Sequence, residues 1–313
     1  MITEIEKKIE ERQLSLKDVD GLLLDISWLE HPEVIRKLLD YKKLPQESLA
    51  PVVKTDAEIK AEWKTEKLPD GTLRLANYKG SDTIVIIPEK IGKAVVTEIG
   101  AYALSVKKSP LKKEMRESRA KIKEVRIPST IVTIGESAFE ACENLEKVTW
   151  TSSLVTIAKG AFRECAKLKD VDLHKGIKTI GDFAFRECLA FEQVHVPEGV
   201  QLGEEVFYGC AKLKKVVLPN DIIELPYYIF AGCTNLLDIN MPERLTTIGQ
   251  CAFNNCKKLA TLVIPETVNS IAVNQKYWRC GSFEDCKKLV LQVKPGSYAE
   301  QYAQKNGILY KAE

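Results

Sequence analysis

Between Ile122 and Leu289 the apolar residues of this chain return with a period of about 23. One copy runs Val125, Ile127-Pro128, Ile134-Gly135, Ala138-Phe139, Cys142 and Leu145. Cysteines 142, 165, 188, 210, 233 and 256 mark the beat at intervals of 23, 23, 22, 23 and 23 residues. A fixed repeat of this length predicts a solenoid, because one unit cannot bury its apolar side except against its neighbours. Leu145, Val148 and Trp150 have the alternation of a short strand. The prolines at 128, 197, 219, 242 and 265 end that strand, since they lack the N–H a ladder needs. Ile134-Gly135 and its equivalents predict a second extended segment. Ala138-Phe139 and its equivalents predict a helical or 3₁₀ turn that inserts one ring per coil. Seven of the nine phenylalanines, at 139, 162, 185, 207, 230, 253 and 283, fall at this position and predict a stacked spine. The fold class is therefore a repeat solenoid, α/β leaning to β, of about eight coils spanning 84–293.

The flanks read differently. Residues 1–57 predict short helices and a linker: Thr3 and Glu6 suit a capping box, Ile5 and Ile9 share a face, and Pro45 and Pro51 break the periodicity. Residues 58–87 predict a β cap, with strands over Ala61–Glu66 and Thr72–Tyr78 around a Pro69-Asp70-Gly71 turn. Residues 294–313 predict a capping helix, opened by Ser297 with Glu300 and stopped at Gly307. The period itself breaks twice, at 105–120 and at 272–281.

Composition narrows the function. With 46 basic against 44 acidic residues, a net charge of +2 creates no global field for nucleic acid or membrane, so nucleic acid is not the expected partner. No apolar run reaches the length of a membrane span. The opening MITEIEKKIEERQ is charged where a signal peptide needs an apolar core, which points to a cytoplasmic protein, or to a surface or secreted one whose export signal was removed. Repeated interior placement of six of the nine cysteines predicts small buried free thiols in a reducing compartment, with inter-repeat disulfides as the alternative of a secreted form. No Cys-x-x-Cys pair with histidines, glycine-rich phosphate loop, Gly-x-Ser-x-Gly or His-Glu-x-x-His occurs, so no cofactor, metal or catalytic constellation is expected.

The unit V-x-I-P-x-x-h-x-x-I-G-x-x-A-F-x-x-C-x-x-L resembles the BspA-like class of leucine-rich repeats, found in many bacterial surface proteins and some protozoa. Ile127-Pro128, Ile134-Gly135, Ala138-Phe139, Cys142 and Leu145 match it, as do Ile248-Gly249, Ala252-Phe253, Cys256 and Leu259. The resemblance covers roughly residues 72–310. It implies a right-handed array with a curved parallel sheet and a non-catalytic role in adhesion or protein binding.

Three stretches are candidate contact sites. Outward positions of the strand ladder, Arg126, Lys147, Thr149, Asp170, Asp172, Gln193, His195, Lys215, Asp238 and Asn240, form a continuous grid suited to a protein or glycan. Asp170, Asp172 and His195 could lie on adjacent strands, yet an open sheet offers no pocket for catalysis, and a solvated cluster is expected. The insert at 107–123 carries Lys107, Lys108, Lys112, Lys113, Arg116 and Arg119, with a local charge of about +6 that could meet an acidic partner or nucleic acid. It has no aromatic residue for base stacking. The insert at 272–281 carries Tyr277, Trp278 and Arg279, residue types favoured at interface hot spots, or alternatively part of a cap.

Overall fold

The computed structural model describes residues 54–107, 110–273 and 280–313. The chain divides into two units, 1–58 and 59–313. The second is a solenoid of about ten turns, with parallel ladders and few helices. The count exceeds the expected eight because strands without the motif continue the ladders at both ends. Leu73–Tyr78 pairs in parallel with Ala94–Ile99, and Leu309–Ala312 pairs in parallel with Val290–Val293.

Two ladders run along the solenoid. A side ladder begins with the antiparallel hairpin Trp63–Lys67 and Leu73–Tyr78, and continues through Ala94–Ile99, Thr133–Ile134, Thr156–Ile157, Thr179–Ile180 and Gln201–Leu202. Glu224–Leu225, Thr247–Ile248 and Ser270–Ile271 form its separate last piece. The front ladder comes in three pieces rather than one continuous grid. Ile84–Ile86, Glu124–Arg126 and Lys147–Thr149 form the first, and Gln193–His195, Lys215–Val217 and Asp238–Ile239 the second. Thr261–Val263, Val290–Val293 and Leu309–Ala312 form the third.

The segment around Ala138-Phe139 is not a helical turn. Two residues per coil take the left-handed conformation, such as Ser137 (φ 49°) and Ala141 (φ 59°), or Phe183 (φ 60°) and Glu187 (φ 61°). That alternation turns every second amide out of the coil and towards the next one. Ser137, Phe139 and Ala141 donate N–H groups to the carbonyls of Lys159, Ala161 and Arg163, each at 2.8 Å. Left-handed L-residues cost roughly 1 kcal/mol each, and the cross-coil hydrogen bonds offset this. Gly135 is required by proximity, since a Cβ there would lie 2.7 Å from the carbonyl carbon of Gly100.

The interior holds the predicted spine. Consecutive rings from Phe139 to Phe283 stack at 4.9, 5.6, 6.0, 5.8, 5.7 and 5.7 Å, and Tyr302 closes the column edge-on at 6.2 Å. Beside it runs the column of free, buried cysteines. From Cys165 onward each Sγ reaches back to the phenylalanine carbonyl of the preceding coil: Cys165 to Phe139 at 3.2 Å, Cys188 to Phe162 at 3.2 Å, Cys210 to Phe185 at 3.3 Å. Those carbonyls already accept from the cysteine N–H of their own coil, so the thiol occupies the second lone pair. Cys251 and Cys280 are joined as a disulfide. Both lie off the column, so the inference from repeated interior placement does not reach them.

At the start of the solenoid, Asp56–Glu62 is a helix where a linker and strand were expected. Thr55 and Glu58 cap it reciprocally, Thr55 Oγ1 accepting from the Glu58 N–H and Glu58 Oε2 from the Thr55 N–H. At the other end Tyr298–Asn306 is a helix capped by Ser297 and stopped by left-handed Gly307. Its buried face is Ala299, Tyr302 and Ala303.

Candidate functional site

The front ladder presents its outward side chains one coil apart, in parallel register. Glu124 stands beside Lys147, Gln193 beside Lys215, and Lys215 beside Asp238. Several candidates are engaged locally. Arg126 Nε donates to Glu124 Oε1 at 2.8 Å, and Lys215 Nζ lies 3.3 Å from Asp238 Oδ2. Asn240 accepts from the Leu218 N–H and donates to the Leu218 carbonyl, both at 2.8 Å, so its amide staples two coils. Gln193 and His195 are exposed on their strand, Lys147 is exposed, and Thr149 is half-buried.

Asp170 and Asp172 leave the grid. Among the described residues, no backbone group of Asp170, Val171, Asp172 or Leu173 makes a hydrogen bond. The front ladder is torn at this coil, and the two aspartates do not share a site with His195, which pairs onward with Val217. The break coincides with unusual neighbours. Trp150 fills the place held by Ile127, Leu173 and Val196 in other coils, and its ring packs 5.3 Å from Phe162. Thr151 and His174 stand where six other coils have proline.

The tear opens a groove of about 770 Å³. Ile84, Val148, Trp150 and Val171 give it apolar walls, while Lys123, Lys147, Asp170 and Asp172 carry charge along its rim. Lys169 and Glu146 also line it, paired at 3.4 Å. The indole N–H of Trp150 is shielded from solvent and has no acceptor among the described residues. Sequence reasoning missed Trp150 as a site residue. The signal was present in the two consecutive interruptions of the proline column.

The basic insert is smaller as a surface than its charge count implies. Lys113–Arg119 is a helix whose last residue, Arg119, is fully buried. Its guanidinium donates to the carbonyls of Tyr78 at 2.6 Å and Ser105 at 2.8 Å, and to Asn77 Oδ1 at 2.7 Å. Burial lowers its pKa to about 10, which leaves it charged at neutral pH. Arg119 is thus a structural tie and not a partner contact. Lys107 pairs with Glu164, and Lys113 lies 3.8 Å from Glu117. Lys112 and Arg116 are exposed. Lys108, Tyr277, Trp278 and Arg279 lie outside the described residues.

Among the described residues, no group of three or more His, Cys, Asp or Glu could hold a metal ion, and no helix is long and apolar enough to cross a membrane.

A family model described as the BspA type leucine rich repeat region matches residues 113–202 and 200–290. No curated protein matches the chain. Among solved structures, a leucine-rich repeat protein of T. pallidum (TpLRR) is 26% identical, over 64% of this chain and 88% of that one, with a TM-score of 0.57. A leucine-rich repeat protein of Bacteroides ovatus is also 26% identical, over 74% of this chain and 70% of that one, with a TM-score of 0.54.

Proposed function

The chain belongs to the BspA-type leucine-rich repeat family, and from that premise we propose that it is a non-catalytic interaction protein that binds a partner protein through its front ladder. One observation carries this reading. The ladder's outward positions bear varied polar and charged side chains in fixed parallel register, whereas the inward positions repeat almost unchanged. Fold alone explains the inward columns, and a solenoid recognises partners through such an extended surface. Chemistry on the ladder would need an enclosed site with paired acid and base, and the only histidine of the grid, His195, is exposed and apart from the aspartates.

The test uses the intact chain as bait, with captured proteins identified by mass spectrometry. Lys147→Glu, Lys215→Glu and Asp238→Lys together should lower capture of a specific partner by about tenfold or more. Lys159→Glu with Glu204→Lys, on the turn side, should not. Equal capture by both variants overturns the reading.

A further inference from the structure

At the torn coil, main-chain groups and carboxylates without partners among the described residues lie beside an aromatic ring. We propose that its groove receives an arginine side chain carried on an extended segment of the partner protein. The inference rests on the ladder reading and names what that ladder recognises.

The carboxylates give the sign. Elsewhere along this face they are matched: Glu124 by Arg126, Glu146 by Lys169, Glu192 by Lys214, and Asp238 by Lys215. Asp170 and Asp172 have no cation among the described residues, although both sit on the groove wall. Lys123 and Lys147 also line the groove, but the two kinds of charge are not equivalent. An aspartate carboxylate lies one carbon from the backbone and stays on the wall, while an exposed lysine swings its ammonium into water on a flexible stem. With Glu124 held by Arg126 and Glu146 by Lys169, the two aspartates are the unpaired charges fixed at the groove wall.

The other features select arginine among cations. A guanidinium is planar, bidentate towards carboxylates and weakly hydrated, and it stacks on aromatic faces. The groove supplies two carboxylates and Trp150 beside Val148 and Val171. The unpaired amides and carbonyls of Asp170–Leu173 add main-chain sites for the flanking residues of an extended segment.

The experiment titrates the full chain with N-acetyl-Val-Arg-Val-amide and follows the indole N–H resonance of Trp150 by NMR, assigned through Trp150→Phe. A saturable shift is expected. The citrulline and glutamate counterparts should bind about tenfold more weakly or worse, and so should the arginine peptide to the Asp170→Asn/Asp172→Asn protein. That double variant should keep the parent melting temperature, since both side chains are exposed. Equal shifts from all three peptides, or unchanged binding to the double variant, overturn the arginine groove. A captured partner that depends on Lys215 and Asp238 but not on Asp170 and Asp172 also overturns it, and leaves the ladder reading standing.

Discussion

A thiol donating to a carbonyl is a weak contact taken once, but here it recurs at every coil interface from Cys142, which bonds the Leu104 carbonyl at 3.5 Å, to Cys286, which bonds that of Phe253 at 2.9 Å. Burial pushes the Cys142 and Cys210 thiols up to about 12 and raises those of Cys165, Cys188 and Cys233 as well. Their folded pKa values exceed the unfolded one, so the unfolded chain loses these protons first. The stability they contribute is complete below about pH 9 and drains away as pH rises towards 12. The melting temperature should fall across that window, and Cys210→Ala should flatten the fall. At pH 8 an alkylating reagent should modify half-buried Cys286 well before the column, because its contact with Cys256 lowers its pKa. Unfolding without reductant should expose seven thiols, and reduction all nine, as counted by intact mass. The cysteine column was legible from its spacing as small and buried. Its donor role was not, because the accepting carbonyl lies about 26 residues earlier in the chain. Arg119 was misread for a related reason: its partners Asn77, Tyr78 and Ser105 come from other turns, so local charge counting placed it in solvent.

Among the elements, spine and ladder divide stability from recognition. Phe207 is fully buried between two rings, and Phe207→Ala should cost about 3–5 kcal/mol in chemical denaturation. Thr149→Ala, on the outward ladder, should stay within about 0.5 kcal/mol. Equal losses would mean that the two faces are exchanged. The strand, the spine and the terminal helix could all be read from alternation and caps. The turn could not. Phe139, Cys142 and Leu145 recur every third residue, a spacing shared by helical turns and by this left-handed alternation, and only the cross-coil amides of Ser137, Phe139 and Ala141 separate them. The helix at Asp56–Glu62 was legible in principle, since Thr55 and Glu58 spell the capping box that Thr3 and Glu6 also spell. The aromatic Trp63 just beyond it drew the strand assignment too early.

For the solenoid as a whole, the interruption of the front ladder matters more than its regular coils. Amides of Asp170, Val171, Asp172 and Leu173 should exchange with solvent hydrogen orders of magnitude faster than that of Val216, as native-state hydrogen exchange would resolve by residue. Protection equal to that of Val216 would show the ladder to be closed in solution. At the same coil the other two sides remain bonded. Thr179–Ile180 pairs with both neighbouring strands, and Phe183 and Phe185 donate to the carbonyls of Glu204 and Val206 at 2.8 and 3.0 Å. In mechanical terms this coil is a hinge whose leaf is free on one side only. Bending the stack away from the front widens the groove against one long backbone bond, from the Lys169 N–H to the Glu146 carbonyl at 3.4 Å, whereas the opposite bend narrows it. The width of the groove and the curvature of the solenoid are then one coordinate, and a ligand that fills the first stiffens the second.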